Sequence, residues 1–87
     1  MAKNVLITGA TSGIGEAIAR AYLEKGENVV LIGRRTERLE VLKNEFIKAY
    51  PSQKVWTFPL DVTDMTMVKT VCSEILEAVG SIDILVN

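Results

Sequence analysis

Histidine is absent from this 87-residue sequence, and cysteine occurs once, as Cys72. The absence of histidine excludes a histidine base and argues against a zinc site, so we assign no metal ligands. A single cysteine cannot form an internal disulfide and is typical of a reducing compartment. We therefore expect a cytoplasmic protein.

The sequence also lacks a large net charge and a long apolar run. Its formal net charge is −1, so no attraction to nucleic acid or to an anionic membrane is expected. The apolar run in "MAKNVLITG" is too short for a signal peptide or a membrane span. With 48% hydrophobic and 24% charged residues, the chain is typical of one small globular domain over residues 1–87.

Short apolar runs alternate with helical patterns along the chain. The runs predict strands at 4–8, 28–33, 54–60 and 82–87. Three of them are continuous Val/Ile/Leu runs, as expected of strands buried on both faces. Pro59 cannot donate to a neighbouring strand, so the third strand is expected to lie at an edge or to end there.

Helical periodicity fills the three intervals between the strands. The first helix is predicted over about residues 13–25. The second follows Arg35 and ends before Pro51, and the third follows Thr63 as N-cap and ends at Gly80. The residues predicted to form the buried faces are Ile14, Ala17, Ile18 and Ala21; Leu39, Leu42, Phe46 and Ala49; and Val68, Val71, Cys72, Ile75 and Val79.

Strands that alternate with helices through short connections are typical of right-handed βαβ units. We expect an α/β fold that is half of a doubly wound parallel sheet, a Rossmann fold, with strand order 3-2-1-4 and three helices. Ligands of such sheets bind at the carboxyl ends of the strands, where the strand order reverses.

The stretch "TGATSGIG" lies at that point, directly before the first helix. Gly9 permits the turn, Gly13 lets the backbone approach a pyrophosphate, and Gly15 lets the helix pack closely. A helix N-terminus offers unpaired N–H groups and a partial positive charge, which suit phosphate. Thr11 and Ser12 add hydroxyl donors. We interpret this loop as a phosphate-binding loop rather than a glycine-rich turn without a ligand.

The spacing Gly-x-x-x-Gly-x-Gly in this loop strongly resembles the cofactor loop of the short-chain dehydrogenase/reductase family. Three further landmarks are similar to that family and in register: "GRR", "DVT" and "DILVN", after or within the second, third and fourth strands. The resemblance covers the whole chain and implies hydride transfer between a nicotinamide cofactor and a carbonyl or alcohol. The stretch "IGRRTERLEVLKNEF" looks closest to members that oxidise serine or 3-hydroxy acids with NADP.

The resemblance also implies roles for individual residues. Gly9 to Ile14 would enclose the pyrophosphate and the adenine ribose. Asp61 would accept a hydrogen bond from the adenine amino group, with Val62 supplying a backbone contact. Asn87 would lie beside the adenosine ribose. The alternatives are a turn residue without a ligand for Asp61 and a strand-end residue for Asn87.

Arg34 and Arg35 favour NADP over NAD. NAD-binding domains usually carry an acidic residue after the second strand, which binds the ribose 2′-OH. A carboxylate there would repel a 2′-phosphate, whereas a guanidinium binds it through charge-assisted bonds worth roughly 1.5–3 kcal/mol. The alternative is that both arginines begin a solvated helix, with Glu37 and Glu40 offsetting their unfavourable place at its N-terminus.

The resemblance places the catalytic tyrosine, lysine and serine of the family downstream of Asn87, so no catalytic residue is assigned here. Tyr50 and Lys54 have the tyrosine–lysine spacing, but Pro51 lies between them, and we reject them as a pair. We expect a cofactor-binding half that is truncated before its catalytic half and inactive alone. A small carbonyl or alcohol substrate would bind only with the catalytic half present.

Two other functions fit a glycine loop of this kind. One is a non-enzymatic nucleotide-binding or assembly module. The other is a methyltransferase-like domain, which Gly33 and Arg34 disfavour because that class requires an acid after the second strand. We also expect a homo-oligomer, because one helix cannot cover the second face of four apolar strands and the fourth strand is left as an edge.

Overall fold

The computed structural model describes all residues, 1–87. Its four strands are β1 (Asn4–Thr8), β2 (Asn28–Gly33), β3 (Val55–Pro59) and β4 (Ile84–Val86). Its three helices are α1 (Gly13–Glu24), α2 (Thr36–Ala49) and α3 (Met65–Val79). Strands and helices alternate along the chain as the sequence predicts, and β1 and β2 have the predicted bounds. β3 and β4 are shorter than predicted.

The four strands form one parallel sheet in the order β3-β2-β1-β4, which confirms the predicted topology. In the register of this sheet Val5 of β1 pairs with Val29 of β2 and with Ile84 of β4. β3 lies at one edge and ends at Pro59, as expected of a residue without a backbone donor. The carboxyl ends of all four strands therefore lie at the same side of the sheet.

Helices cover both faces of the sheet. α1 and α2 cover one face, where alternate strand residues such as Val5 and Leu31 pack with Leu23, Leu42 and Phe46. α3 covers part of the other face. There the core consists of Val30, Ile32, Leu60, Val71 and Ile75. None of the three helices combines the length and the apolarity that crossing a bilayer requires.

The predicted buried face of α1 is wrong. The helix buries Gly15, Ala19 and Leu23, whereas Ile14 is 77% exposed. Ala17 and Ala21 are also exposed, and Ile18 is half-buried. The physical reason is that the small residues Gly15 and Ala19 let the helix backbone approach the core, so the helix is rotated relative to the orientation that the larger side chains favour.

Three smaller predictions about the other helices are also wrong. Ala49 and Cys72 are exposed rather than buried. The N-cap of α3 is Asp64, not Thr63, because the Asp64 carboxylate accepts a hydrogen bond from the N–H of Met67. The rest of the predicted stripes holds, since Leu39, Leu42, Phe46, Val71 and Ile75 are buried and Val68 and Val79 are half-buried.

Candidate functional site

A cleft of about 490 Å³ opens at the carboxyl ends of β1, β2 and β3. Its walls are the last residues of β1 and β2 and the first residues of the loops that follow β1, β2 and β3. The lining residues are Thr8, Gly9, Thr11, Ser12, Ile32, Gly33, Arg34, Arg35, Leu60, Asp61, Val62 and Thr63. This is the side of a doubly wound sheet at which ligands bind.

The loop between β1 and α1 is held by hydrogen bonds of Ser12 with glycine backbone groups. Gly9 has a φ of 63°, a left-handed conformation that favours glycine. The hydroxyl of Ser12 donates to the carbonyl of Gly9 at 2.8 Å and accepts from the N–H of Gly15 at 3.0 Å. Ser12 is therefore the N-cap of α1, and its hydroxyl is committed to the loop itself.

Gly15 is the position at which α1 and the loop come closest. A Cβ on Gly15 would overlap the carbonyl oxygen of Gly9 and lie 2.9 Å from the Cα of Ala10. Both neighbours are backbone atoms, which cannot move aside as a flexible side chain does. Gly15 thus fixes the position of the helix N-terminus relative to the loop rather than contacting the cleft.

The start of α1 leaves room for an anion. In an α-helix the first N–H groups have no intrahelical acceptor, and Ser12 satisfies only that of Gly15. The N–H groups of Gly13 and Ile14 are therefore directed out of the helix end. A Cβ at Gly13 would meet no atom within 4 Å. This open space and these donors suit a phosphate group.

Two arginines border the cleft on the side of β2. Arg34 and Arg35 are exposed, and neither guanidinium takes part in an ion pair or a hydrogen bond of the structure. Arg38, one turn along α2, instead forms an ion pair with Glu16 of α1 at 3.0 Å. Arg34 and Arg35 consequently place two unpaired positive charges at the cleft.

Asp61 follows β3, the strand next to β2, and also lines the cleft. Its Oδ1 accepts hydrogen bonds from the N–H and the hydroxyl of Thr63, at 3.0 and 2.7 Å. These two bonds hold the pKa of Asp61 below its ordinary value; desolvation opposes them in part, and the positive charge of Arg34 adds the smallest contribution, which lowers the pKa. The carboxylate is therefore ionised at neutral pH, with Oδ2 open to a donor.

Asn87 lies at the end of β4 and contacts the strand beside it. The hydroxyl of Thr8 donates to the Oδ1 of Asn87 at 2.9 Å. Thr8 in turn lines the cleft. Asn87 is thus one hydrogen bond away from the cleft rather than in its wall.

The structure brings most of the predicted site residues together around this cleft. Those in its wall are Gly9, Thr11, Ser12, Arg34, Arg35, Asp61 and Val62. Those outside it are Gly13 and Ile14 at the exposed start of α1, Gly15 in the packed loop, and Asn87 behind Thr8. Thr11 is half-buried, with its side chain close to the backbone of Gly33.

Sequence reasoning missed other residues of the wall, in particular Thr63, which it assigned as a helix cap. The signal was present, because Asp and Thr two residues apart in a turn commonly bond through their side chains. The residue that does cap the helix, Asp64, is also of a type that favours the N-cap position. Thr8 and Ile32 lie at the ends of β1 and β2, and Leu60 directly follows β3. The strand ends could therefore have identified all three.

Tyr50 and Lys54 do not form a site. Tyr50 is the C-cap of α2, and its hydroxyl donates to Glu24 at 3.4 Å. Lys54 precedes β3 and is exposed. Both residues lie near the amino ends of the strands, away from the cleft, which agrees with their rejection as a catalytic pair.

Comparisons with known proteins find relatives that match nearly the whole chain. An oxidoreductase of Mycobacterium tuberculosis is 41% identical over 86 residues, which are 98% of this chain and 34% of that protein. The NADP-dependent 3-hydroxy acid dehydrogenase YdfG of Salmonella typhimurium is 41% identical over 83 residues, 95% of this chain and 32% of that protein. The chain thus spans about a third of the length of these curated relatives.

A solved structure gives the same result for the fold. L-sorbose reductase from Gluconobacter frateurii, in complex with NADPH and L-sorbose, superposes with a TM-score of 0.92 at 32% identity. The superposition covers 99% of this chain and 32% of the reductase. The family model for short chain dehydrogenase matches residues 3–87. A match of that extent leaves almost nothing outside the family pattern, and the chain belongs to the short chain dehydrogenase family.

Proposed function

We propose that residues 1–87 form the NADP(H)-binding part of an oxidoreductase that transfers hydride between NADP(H) and a carbonyl or alcohol. The observation that carries this proposal is the pair of unpaired guanidinium groups, Arg34 and Arg35, at the cleft wall after β2. An acidic residue at this place would favour NAD. NADP-dependent relatives and a neighbour solved with NADPH support the same cofactor.

The residues of the cleft fit a phosphorylated dinucleotide. The N–H groups at the start of α1 would bind the pyrophosphate, with Gly9 to Ile14 enclosing it and the adenine ribose. Arg34 and Arg35 would bind the 2′-phosphate, and Asp61 with Val62 would contact the adenine. When bound, the cofactor supplies or accepts the hydride. The contribution of this part of the chain is to bind and orient it.

Titration calorimetry tests the cofactor preference. It is carried out on the protein at its whole natural length, which we call the full chain. We expect NADPH to bind about 10- to 150-fold more tightly than NADH, which corresponds to one charge-assisted contact. Arg34→Asp removes that contact and adds a like charge, so the ratio should fall to about one or below. Lys48→Asp changes the net charge equally at the far end of α2 and should leave the ratio unchanged. An unchanged ratio in Arg34→Asp would contradict the proposal.

We also propose that residues 1–87 do not catalyse hydride transfer alone. The two tyrosines of the chain, Tyr22 and Tyr50, lie at the carboxyl-terminal ends of α1 and α2, and neither lines the cleft. The purified 87-residue chain should therefore show no oxidation of NADPH with a panel of carbonyl compounds. Turnover above a buffer blank would contradict this.

The lone thiol of Cys72 supports a reducing compartment such as the cytoplasm.

We further propose that a second copy of the chain packs against the free edge of the sheet. β4 has no neighbouring strand on its outer side. Its residue Leu85, the register partner of Leu6 in β1, is 64% exposed. Unprotected strand edges of this kind recruit other strands. Light scattering on the purified 87-residue chain should give at least the mass of a dimer, and the mass of a monomer would contradict the proposal.

A further inference from the structure

The carboxylate of Asp61 is held in one orientation by a single neighbour. Thr63 donates to Oδ1 twice, through its N–H and through its hydroxyl. No other side chain of the structure bonds to Asp61, which is exposed. An exposed aspartate without such bonds would sample several rotamers and lose that freedom on binding. The two bonds fix the direction of Oδ2 before a ligand arrives.

The geometry also decides what Oδ2 can bind. Because Oδ1 is occupied by two donors, Oδ2 is the oxygen left for a group in the cleft. An ionised carboxylate accepts hydrogen bonds and cannot donate one. An amino group on a base would donate a hydrogen bond to Oδ2, whereas a carbonyl at the same position would face Oδ2 as a second acceptor. An unmatched acceptor pair is the usual way in which a polar site rejects a close analogue.

We infer that Thr63 is a positioning residue that presents Oδ2 of Asp61 to the amino group of adenine and thereby selects adenine over hypoxanthine. The inference rests on the proposed function, because it requires the adenine end of the dinucleotide in this cleft. Asp61 and Thr63 both line the cleft, as Arg34 does. The hydroxyl bond of 2.7 Å is short and charge-assisted, as expected of the bond that holds the carboxylate.

The pKa of Asp61 supports the same role. The two hydrogen bonds from Thr63 are the main cause of the lowered pKa, and the charge of Arg34 contributes less. Loss of the hydroxyl should therefore raise the pKa of Asp61 toward its ordinary value. A titration of the carboxylate carbon followed by NMR measures this change without any cofactor.

Affinities for two cofactors that differ only in the base test the inference. The full chain is titrated with NADPH and with the analogue of NADPH in which hypoxanthine replaces adenine. In this analogue a carbonyl stands in place of the amino group of the base. Thr63→Val keeps the backbone N–H and removes the hydroxyl, so the preference for NADPH over the analogue should fall about three- to tenfold. Thr63→Ser keeps the hydroxyl and should restore the preference. Thr66→Val, at an exposed threonine in the first turn of α3, is the matched control.

A merely structural role predicts a different pattern. Thr63→Val would then weaken both cofactors equally, leave the ratio unchanged and overturn the inference. If the ratio of NADPH to the hypoxanthine analogue is unchanged while the wild-type chain still prefers NADPH to NADH, only the inference is overturned and the proposed function stands. If the wild-type chain does not prefer NADPH to NADH, the proposed function and the inference are both overturned.

Discussion

The two ends of the parallel strands differ in what their polar side chains contact. At the amino ends the side chains bond to one another and to nearby backbone. Asn28 donates to Asn4 at 3.1 Å and accepts from the N–H of Lys54 at 2.9 Å. Asn4 donates to the carbonyl of Ser81 at 3.0 Å, and Asp83 accepts from the N–H of Asn4 at 2.8 Å. These contacts join all four strands where they begin.

At the carboxyl ends the polar groups have fewer partners in the chain. Arg34 and Arg35 have none, and one oxygen of Asp61 is open. The amino ends therefore hold the strand register, whereas the carboxyl ends keep donors and acceptors for a ligand. Substitutions at the two ends should therefore separate stability from binding.

The largest effect is expected at Gly15, which lies near the carboxyl ends of the strands but contributes to the stability of the fold. Gly15→Ala places a Cβ against the backbone of Gly9 and Ala10. We expect the free energy of unfolding to fall by about 3 kcal/mol or more, together with loss of NADPH binding. Urea denaturation measures the first and calorimetry the second.

Gly13→Ala is the matched control for that substitution, because its Cβ would meet open space. Its effect on stability should be within about 1 kcal/mol. Equal stability of the Gly15→Ala variant and the wild type would show that the helix does not need its close approach to the loop.

A double substitution at the cleft should alter binding without altering stability. Arg34→Gln with Arg35→Gln removes both unpaired charges, and the preference for NADPH over NADH should disappear, a loss of about 10-fold or more. Because neither arginine contacts another residue through an ion pair, the urea midpoint should stay the same. A preserved preference would place the 2′-phosphate elsewhere.

At the amino ends, Asn28→Ala should have the opposite profile. It removes two hydrogen bonds, to Asn4 and from Lys54, so the free energy of unfolding should fall by about 1–2 kcal/mol. The ratio of the affinities for NADPH and NADH should be unchanged. Asn44→Ala, on the exposed side of α2, is the control and should not destabilise the chain. A changed cofactor ratio in Asn28→Ala would contradict the separation of the two ends.

The smallest effect is expected at the ion pair between Glu16 and Arg38. Their side chains are 28% and 44% exposed, so solvent screens the pair, and Glu16→Gln should lower stability by only about 0.2–1 kcal/mol. The loss should shrink at high salt. Glu37→Gln, in the first turn of the same helix as Arg38, serves as a control without an ion-pair partner. A loss that does not depend on salt would indicate packing rather than charge.

Much of this arrangement could be predicted from the sequence, for a physical reason. Continuous apolar runs determine buried parallel strands, so β1 and β2 have the predicted bounds and the strand order is confirmed. The face of α1 could not be predicted in the same way. Periodicity counts large apolar side chains, whereas Gly15 contributes by having none.

The candidate site was predictable in its location but not in its internal contacts. The ends of the strands determine which residues surround the cleft, and Gly9 and Arg34 were found on that basis, whereas Asp61 followed from the family resemblance. The hydrogen bonds of Thr63 to Asp61 depend on a local turn conformation. Thr63 and the next residue, Asp64, are both of types that cap helices, and only the backbone geometry decides between them.

Thermal unfolding of the full chain with and without NADPH tests the division between the two strand ends most directly. Arg34→Ala should unfold at the wild-type temperature without cofactor, and most of the stabilisation by NADPH relative to NADH should be lost. Asn28→Ala should unfold at a lower temperature without cofactor and keep that stabilisation in full. The reverse pattern, in which Arg34→Ala is destabilised and Asn28→Ala loses its response to NADPH, would contradict the assignment of the cleft at the carboxyl ends as the cofactor site.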